Sequence, residues 1–179
     1  PLIGVQLITL ILGITDDRWD IPARVKLLWQ IGIGIIMYLI GFRVMSLTNP
    51  FGSDFMLGWI SFPVTIIWYL VLMNAINLID GIDGLASGIC VIVCVVLLVV
   101  GIKESNSIVI ALSAFLLAGN LAFLRFNFYP AKIFLGDTGA LFNGLVLAAI
   151  STAGNRQYKG ITSMTLIIPL SVLAVPLID

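Results

Sequence analysis

The chain has 179 residues, of which 60% are hydrophobic and only 10% are charged. Soluble domains carry about 45–50% apolar and about 25% charged residues, so this composition excludes an ordinary soluble domain. Nine basic residues balance nine acidic ones and give no indication of nucleic-acid binding, and the lack of histidine excludes a Ser-His-Asp hydrolase and a histidine-ligated zinc site.

Apolar segments follow one another along the chain, most of them close to the ~20 residues that a helix needs to cross a bilayer. There are seven: Leu2–Ile14, Leu27–Val44, Ile60–Leu78, Leu85–Ile102, Ile108–Phe126, Ala140–Ala153 and Ile161–Ile178. They predict an all-α, polytopic transmembrane helical bundle that forms one membrane domain over residues 1–179. We expect an internal fragment whose first helix is clipped, because neither end has the features of a natural terminus.

Alternating crossings place successive joints on opposite sides of the bilayer. One side receives Thr15–Lys26, Ile79–Gly84, Asn127–Gly139 and the C-terminal end. That side carries seven of the nine acids: Asp16, Asp17, Asp20, Asp80, Asp83, Asp137 and Asp179. Ionisable groups at a membrane are costly and usually functional, so the clustering predicts a site on this face. Five of the nine basic residues lie there too, a slight indication that the face is cytoplasmic.

Asp16 and Asp17 are adjacent where the first apolar segment closes. Adjacent carboxylates repel each other unless a cation or a substrate separates their charges, so the pair is a functional candidate. The neighbouring Asp20, Arg18 and Arg24 are equally typical of a solvated, salt-bridged loop at a membrane surface.

Asn77, Asp80 and Asp83 are spaced by three residues, which on a helix would place them along one broad face. Gly81 and Gly84 disfavour a regular helix here and allow a ligand to approach the backbone closely. The alternating acids of an EF-hand calcium loop are absent from this stretch. Asp80 could instead cap the helix that follows.

Asp137 lies in a glycine-framed turn that opens the sixth apolar segment. It could cap that helix or hold a cation that faces a phosphate at the helix N-terminus. Phe134 is either an interfacial anchor or a stacking surface. Carboxylates, a carboxamide, a lysine and glycine-framed backbone on one membrane face suit Mg²⁺ and phosphate groups. They suggest phosphoryl transfer between a nucleotide and a lipid.

Three stretches resemble, in order and spacing, the signature motifs of the polyprenyl-phosphate N-acetylhexosamine-1-phosphate transferases. They are Asp16-Asp17, Asn74–Ala86 and Phe134–Gly139. This family includes the undecaprenyl-phosphate GlcNAc-1-phosphate transferases of the WecA/TagO type and the phospho-N-acetylmuramoyl-pentapeptide transferases. The amino-acid sequence around Asp80, Asp83 and Asp137 is more similar to that of the first type, and the second type is kept as the alternative.

The resemblance implies an enzyme of the bacterial cytoplasmic membrane with its active site on the cytoplasmic face. It would transfer GlcNAc-1-phosphate from UDP-GlcNAc to undecaprenyl phosphate and release UMP, with Mg²⁺ or Mn²⁺ as cofactor, at the start of cell-envelope polysaccharide synthesis. No nucleic-acid partner is expected, and a homodimer is left open. The family's N-terminal helices and its histidine-containing loop are expected outside these 179 residues.

The resemblance also implies roles for individual residues. The catalytic positions are Asp16, Asp17 and Asp137. The metal would be held by Asp137 and Asn77, and the substrate-binding positions are Lys26, Asn77, Asp80, Asp83 and Phe134. Within that set, Lys26 would bind the diphosphate, and Asp83 and Phe134 would contact and stack on uracil. Asp16 and Asp17 would lie near the lipid phosphate.

Two mechanisms and one rival function follow from these assignments. In the direct route, a lipid phosphate oxygen attacks the β-phosphorus. The acceptor's second pKa is about 6, so it is largely dianionic at pH 7 and we expect Asp16 and Asp17 to orient it rather than deprotonate it. An aspartyl-phosphate intermediate is the alternative. A cation-coupled transporter is the rival function, but it requires acids near mid-span in broken helices.

Overall fold

The computed structural model describes residues 1–47 and 55–154. Six helices account for most of this part: α1 (Leu2–Trp19), α2 (Ala23–Leu39), α3 (Ser61–Ile79), α4 (Leu85–Lys103), α5 (Ser107–Asn127) and α6 (Gly136–Gly154). Between α2 and α3, the strands β1 (Ser46–Leu47) and β2 (Phe55–Met56) pair antiparallel, and a single 3-10 turn, Gly58–Ile60, leads into α3. The predicted helical class is confirmed, with this short hairpin added to it.

Helix α6 lies at the centre of the bundle. It contacts α1, α3, α4 and α5, and its apolar side chains are buried along most of its length, among them Leu141, Leu145, Leu147 and Ile150. Helices α4 and α5 pack against each other as a hairpin whose second helix is capped by the Asn106 side chain. Because four helices enclose α6, the position of its N-terminus is set by its neighbours.

Among the described residues, three helical segments are long and apolar enough to cross a membrane: Gly58–Ile79, Leu85–Lys103 and Ser107–Asn127. Large apolar side chains point outward from each of them, for example Ile67, Val99 and Phe115. Extensive exposed apolar surface of this kind is typical of a protein that faces lipid.

Six of the seven predicted apolar segments correspond to the six helices, and the seventh, Ile161–Ile178, lies outside the described residues. Two helix ends differ by five residues: α1 continues to Trp19 rather than Ile14, and α2 ends at Leu39 rather than Val44. Gly41 adopts a φ of 96°, and its N–H and that of the next residue donate to the Tyr38 and Met37 carbonyls. This is a Schellman termination. Hydropathy does not detect it, because apolar residues recur after Gly41 at Phe42 and Val44, of which Val44 is buried.

Helices α3 and α6 are in close backbone contact at Gly144, which leads to a stability prediction. A Cβ at Gly144 would lie 2.5 Å from the Met73 Cα and 2.7 Å from the Leu72 carbonyl oxygen. Backbone atoms cannot move aside as a flexible side chain can, so Gly144→Ala forces the helices apart. We expect a loss of about 1–3 kcal/mol in unfolding free energy, seen as a lower thermal midpoint in detergent.

Gly119 on α5 provides the matched control. It is also helical, and a Cβ there would meet no atom within 4 Å. Gly119→Ala should therefore be neutral or stabilising by about 0.4–1 kcal/mol, because alanine restricts the unfolded chain. Equal midpoints for the two variants would contradict the close packing of α3 on α6.

Candidate functional site

One lysine joins the ends of α1, α2 and α6. Lys26, in the first turn of α2, forms ion pairs with Asp16 near the end of α1 and with Asp137 in the first turn of α6, where the Nζ–Oδ1 distance is 3.0 Å. The Asp16 carboxyl is buried, and its Oδ1 accepts the Ile21 backbone N–H at 3.0 Å. Because an unpartnered buried carboxylate is costly, Lys26 and Asp16 hold each other in place.

Asp17 reaches the N-terminus of α6. Its Oδ1 accepts the Asp137 backbone N–H at 2.8 Å, and its Oδ2 accepts the Thr138 backbone N–H at 3.1 Å and the Thr138 hydroxyl. The first amides of a helix have no intrahelical acceptors, so this carboxylate caps α6 from a position 120 residues away. The capping role that the sequence allowed for Asp137 is filled by Asp17, whereas the Asp137 carboxylate pairs with Lys26.

Asp80 follows the last residue of α3 and belongs to the same group of acids. Burial raises the pKa of Asp80 to about 6; a hydrogen bond from the Gly136 backbone opposes the rise, and the nearby Asp137 and Asp17 carboxylates add to it. Part of the shift therefore reflects negative charge collected around the α6 N-terminus. The idea that Asp80 caps α4 is wrong, because the N-cap residue of α4 is Gly84 and no side chain caps that helix.

A second set of hydrogen bonds ties the loop after α3 to the loop between α5 and α6. Asp83 Oδ2 accepts the Ala131 backbone N–H at 3.0 Å. Asn127, the last residue of α5, accepts the Gly84 N–H through Oδ1 at 3.1 Å and donates through Nδ2 to the Ile133 carbonyl at 2.9 Å. These contacts confirm the prediction that the polar segments after α3 and α5 meet.

Phe134 and Asn77 are less engaged in this network. Phe134 is 77% exposed, as an interfacial anchor or a stacking surface requires. Asn77 is half-buried in the last turn of α3, and its carboxamide has no hydrogen-bond partner among the described residues. Within residues 1–47 and 55–154, no three carboxylate or thiol groups converge as ligands of one metal ion. The structure brings together Lys26 and four aspartates: Asp16, Asp17, Asp80 and Asp137.

Several known proteins resemble this chain over most of its length. The profile of glycosyl transferase family 4 matches residues 1–155. The chain belongs to glycosyl transferase family 4. It is 40% identical over 173 residues to the probable undecaprenyl-phosphate N-acetylglucosaminyl 1-phosphate transferase of Bacillus subtilis, which covers 96% of this chain and 48% of that protein.

Other relatives within the family carry a different name. The chain is 38% identical over 152 residues to the phospho-N-acetylmuramoyl-pentapeptide-transferase of Clostridium botulinum, over 79% of this chain and 47% of that protein. It is 36% identical over 168 residues to the protein of the same name from Streptococcus equi subsp. equi, over 87% of this chain and 50% of that protein. The chain thus spans about half the length of the relatives that it matches.

Membership of glycosyl transferase family 4 confirms the resemblance that the three motifs indicated. Together with the apolar helices, it identifies an integral membrane protein.

One contact between α2 and α3 was not predicted from the sequence. Gln30 of α2 and Asn74 of α3 exchange two hydrogen bonds, with Asn74 Nδ2 2.7 Å from Gln30 Oε1 and Gln30 Nε2 3.3 Å from Asn74 Oδ1. Gln30 lies one turn after Lys26, and Asn74 lies one turn before Asn77. The pair therefore fixes the helix that carries the lysine against the helix that carries the carboxamide. A glutamine in an apolar segment was the available signal, since a buried amide in a membrane requires a partner.

Proposed function

We propose that this chain is the core of a polyprenyl-phosphate sugar-1-phosphate transferase and forms one membrane domain. The reaction moves GlcNAc-1-phosphate from UDP-GlcNAc to undecaprenyl phosphate and releases UMP at the cytoplasmic face of a bacterial membrane. The observation that carries the proposal is the double ion pair of Lys26 with Asp16 and Asp137, which joins three helix ends. The 40% identical relative from Bacillus subtilis supports this choice of donor and acceptor.

The groups around the α6 N-terminus suit a hard divalent cation such as Mg²⁺ or Mn²⁺. Lys26 pairs with Asp16 and Asp137, and Asp17 and Asp80 lie near Asp137, so negative charge is in excess in this group and the group alone would repel a diphosphate. When bound, the cation supplies the positive charge that attracts the diphosphate and stabilises the leaving UMP. Mg²⁺ takes one or two carboxylates and completes its octahedron with phosphate oxygens and water, so a site without three converging acids fits it. Asp137 and Asn77 are the proposed ligands.

Lys26 is the proposed diphosphate-binding cation of the chain itself. Its ammonium group is held between Asp16 and Asp137, so it is positioned before the substrate arrives, and such preorganised charge is what phosphoryl transfer requires. The Asp16 oxygens are engaged by Lys26 and by the Ile21 backbone N–H, so Asp16 positions the lysine. The acceptor phosphate, with a second pKa of about 6, is already largely dianionic at pH 7 and requires no general base.

The loops after α3 and α5 are the proposed nucleotide site. Asp83 is proposed to contact uracil and Phe134 to stack on it, and Asp80 is a further proposed substrate-binding position. The Asp83–Ala131 hydrogen bond supports this arrangement, because it brings the loop that carries Phe134 next to the end of α3. The exposed Phe134 ring is accessible for stacking.

A transporter is not favoured by the positions of the acids. Asp16 lies in the last turn of α1, Asp80 directly after α3 and Asp137 in the first turn of α6. Ion pathways place such groups near the bilayer midplane in broken helices, whereas these groups lie at helix ends.

The test is an assay of UMP release by the full-length protein in membranes that contain undecaprenyl phosphate. With UDP-GlcNAc and Mg²⁺ we expect UMP release that stops on chelation with EDTA and resumes on addition of Mg²⁺ or Mn²⁺. UDP-N-acetylmuramoyl-pentapeptide should be the poorer donor. Release from the pentapeptide donor alone would replace the GlcNAc assignment with the alternative, and release without acceptor would favour the covalent route. Inactivity with both donors would exclude the function.

A further inference from the structure

We propose that Asp17 is a positioning residue that builds the N-terminus of α6 through Thr138 and thereby places Asp137, rather than a group that reacts with substrate. The proposal rests on the proposed function for the role of Asp137, although the contact itself does not depend on that function. It changes the interpretation of the Asp16-Asp17 pair, since the two acids then have different partners and different tasks.

Both carboxylate oxygens of Asp17 are already committed to α6. Oδ1 accepts the Asp137 N–H, and Oδ2 accepts the N–H and the hydroxyl of Thr138. These are the amides that have no acceptor within their own helix, at the end where the helix dipole attracts negative charge. The side chain is exposed, but three of the roughly four acceptor sites of a carboxylate are used by α6 here, which leaves one site on Oδ1 unused.

The packing of α1 on α6 is shaped for this contact. A Cβ at Gly13 would lie 2.3 Å from the Thr138 Cα, so α1 passes directly against the first turn of α6. Asp17 is four residues further along α1 and lies on the same face as Gly13. Gly136 has a φ of 66°, and a Cβ there would lie 3.0 Å from each Asp17 carboxylate oxygen. Glycine at position 13 therefore lets α1 approach the backbone of α6, and glycine at position 136 leaves room for the Asp17 carboxylate.

The consequence for the site is that Asp137 is held at two points. Asp17 fixes its backbone through the N–H, and Lys26 fixes its side chain through Oδ1 at 3.0 Å. If the Asp17 carboxylate is removed, the first N–H groups of α6 lose their acceptor. The backbone at Asp137 is then no longer fixed, and neither is the position of the carboxylate that it carries. The loss of activity would then be indirect, through the position of Asp137.

Hydrogen–deuterium exchange of the segment Gly136–Ala140 tests the contact without any substrate. In the full-length protein in detergent, we expect Asp17→Ala to speed exchange of this segment about tenfold, which corresponds to the loss of a helix cap. Thr138→Val, which is nearly isosteric, should speed it by a smaller factor. Asp20→Asn is the control, because Asp20 is exposed beyond the end of α1, asparagine tolerates its φ of 48°, and the change should leave the segment unchanged.

Activity then separates positioning from reaction. Asn at position 17 keeps one oxygen for the Asp137 N–H and can donate to the Thr138 hydroxyl, so Asp17→Asn should retain about tenfold more UMP release than Asp17→Ala, with an unchanged pH profile. Thr138→Val should lower kcat in the wild-type background and change it little in the Asp17→Ala background, because the cap is already lost.

Two results would overturn the proposal. The first is unchanged exchange of the α6 segment in both Asp17→Ala and Thr138→Val. The second is an equal reduction of UMP release in Asp17→Asn and Asp17→Ala, together with a Thr138→Val effect on residual kcat that is the same in the wild-type and Asp17→Ala backgrounds. Failure of the proposed function gives a different pattern, since a protein that releases no UMP would still show the exchange differences if Asp17 caps α6.

Discussion

Replacing Asp137 with Asn lowers the rate of UMP release about a hundredfold to a thousandfold, the range expected when one preorganised electrostatic group is lost. Asparagine keeps the size of the side chain and one oxygen but removes the negative charge. The proposed cation then loses an anionic ligand, and Lys26 loses one of its two partners. The backbone N–H to Asp17 remains, so the helix cap is preserved. The measurement is kcat at several Mg²⁺ concentrations, and the Mg²⁺ required for half-maximal activity should rise.

Asp20→Asn is the matched control for this substitution. Asp20 is exposed and has a positive φ of 48°, a backbone conformation that asparagine also tolerates. Its change removes the same charge from the same membrane face without touching the Lys26 network, so activity should stay within about twofold of the wild type. A wild-type turnover rate in Asp137→Asn would show that the Asp137 carboxylate has no role in the reaction.

Lys26→Met should lower both stability and activity. The Asp16 side chain, which is 3% exposed, is left without its cation, and an uncompensated buried charge of this kind costs about 3–5 kcal/mol at full burial. The Lys26 side chain is 16% exposed, so the lower part of that range applies. The thermal midpoint in detergent measures this loss. UMP release should fall at least a hundredfold, because the diphosphate loses its proposed cation.

A second substitution separates the two effects. In Lys26→Met/Asp16→Asn, both charges of the pair are absent, and the Asn oxygen can still accept the Ile21 N–H. Stability should therefore recover in part, since removing both partners of a buried pair costs less than removing one, whereas activity should not recover. Lys103→Met, an exposed lysine at the end of α4 that is far from Gly84, is the control and should leave both quantities unchanged. A double variant no more stable than Lys26→Met would contradict the pairing.

The sequence predicted the parts of the site that depend on chain order. The apolar segments of bilayer length predicted the helices. Each crossing of the membrane reverses the side on which the next loop lies, and this alternation predicted that Asp16, Asp80, Asp83 and Asp137 share one face. The contacts of Lys26 and Asp83 confirm that these joints meet. The glycines correctly indicated that α3 ends before Asp80.

The sequence did not reveal which acid does which task. Asp16 and Asp17 are adjacent in the sequence, which does not distinguish their roles, but their side chains contact different helices. Asp16 is buried against Lys26 of α2, and Asp17 caps α6. The capping partner of Asp17 is 120 residues away, so no local pattern could identify it. Similarly, Gln30 and Asn74 can form a hydrogen bond only because α2 and α3 pack side by side.

By itself, the sequence determined the membrane class, the helices and the family, since these follow from composition, segment length and the order of three motifs. Only the tertiary structure decided that Asp17 replaces Asp137 as the cap of α6 and that Lys26 joins three helix ends. The reason is physical. Hydropathy and motif spacing describe residues that are close along the chain. The partner of a carboxylate is instead the amide or ammonium group that helix packing, such as that of α1 against α6, brings within about 3 Å of it.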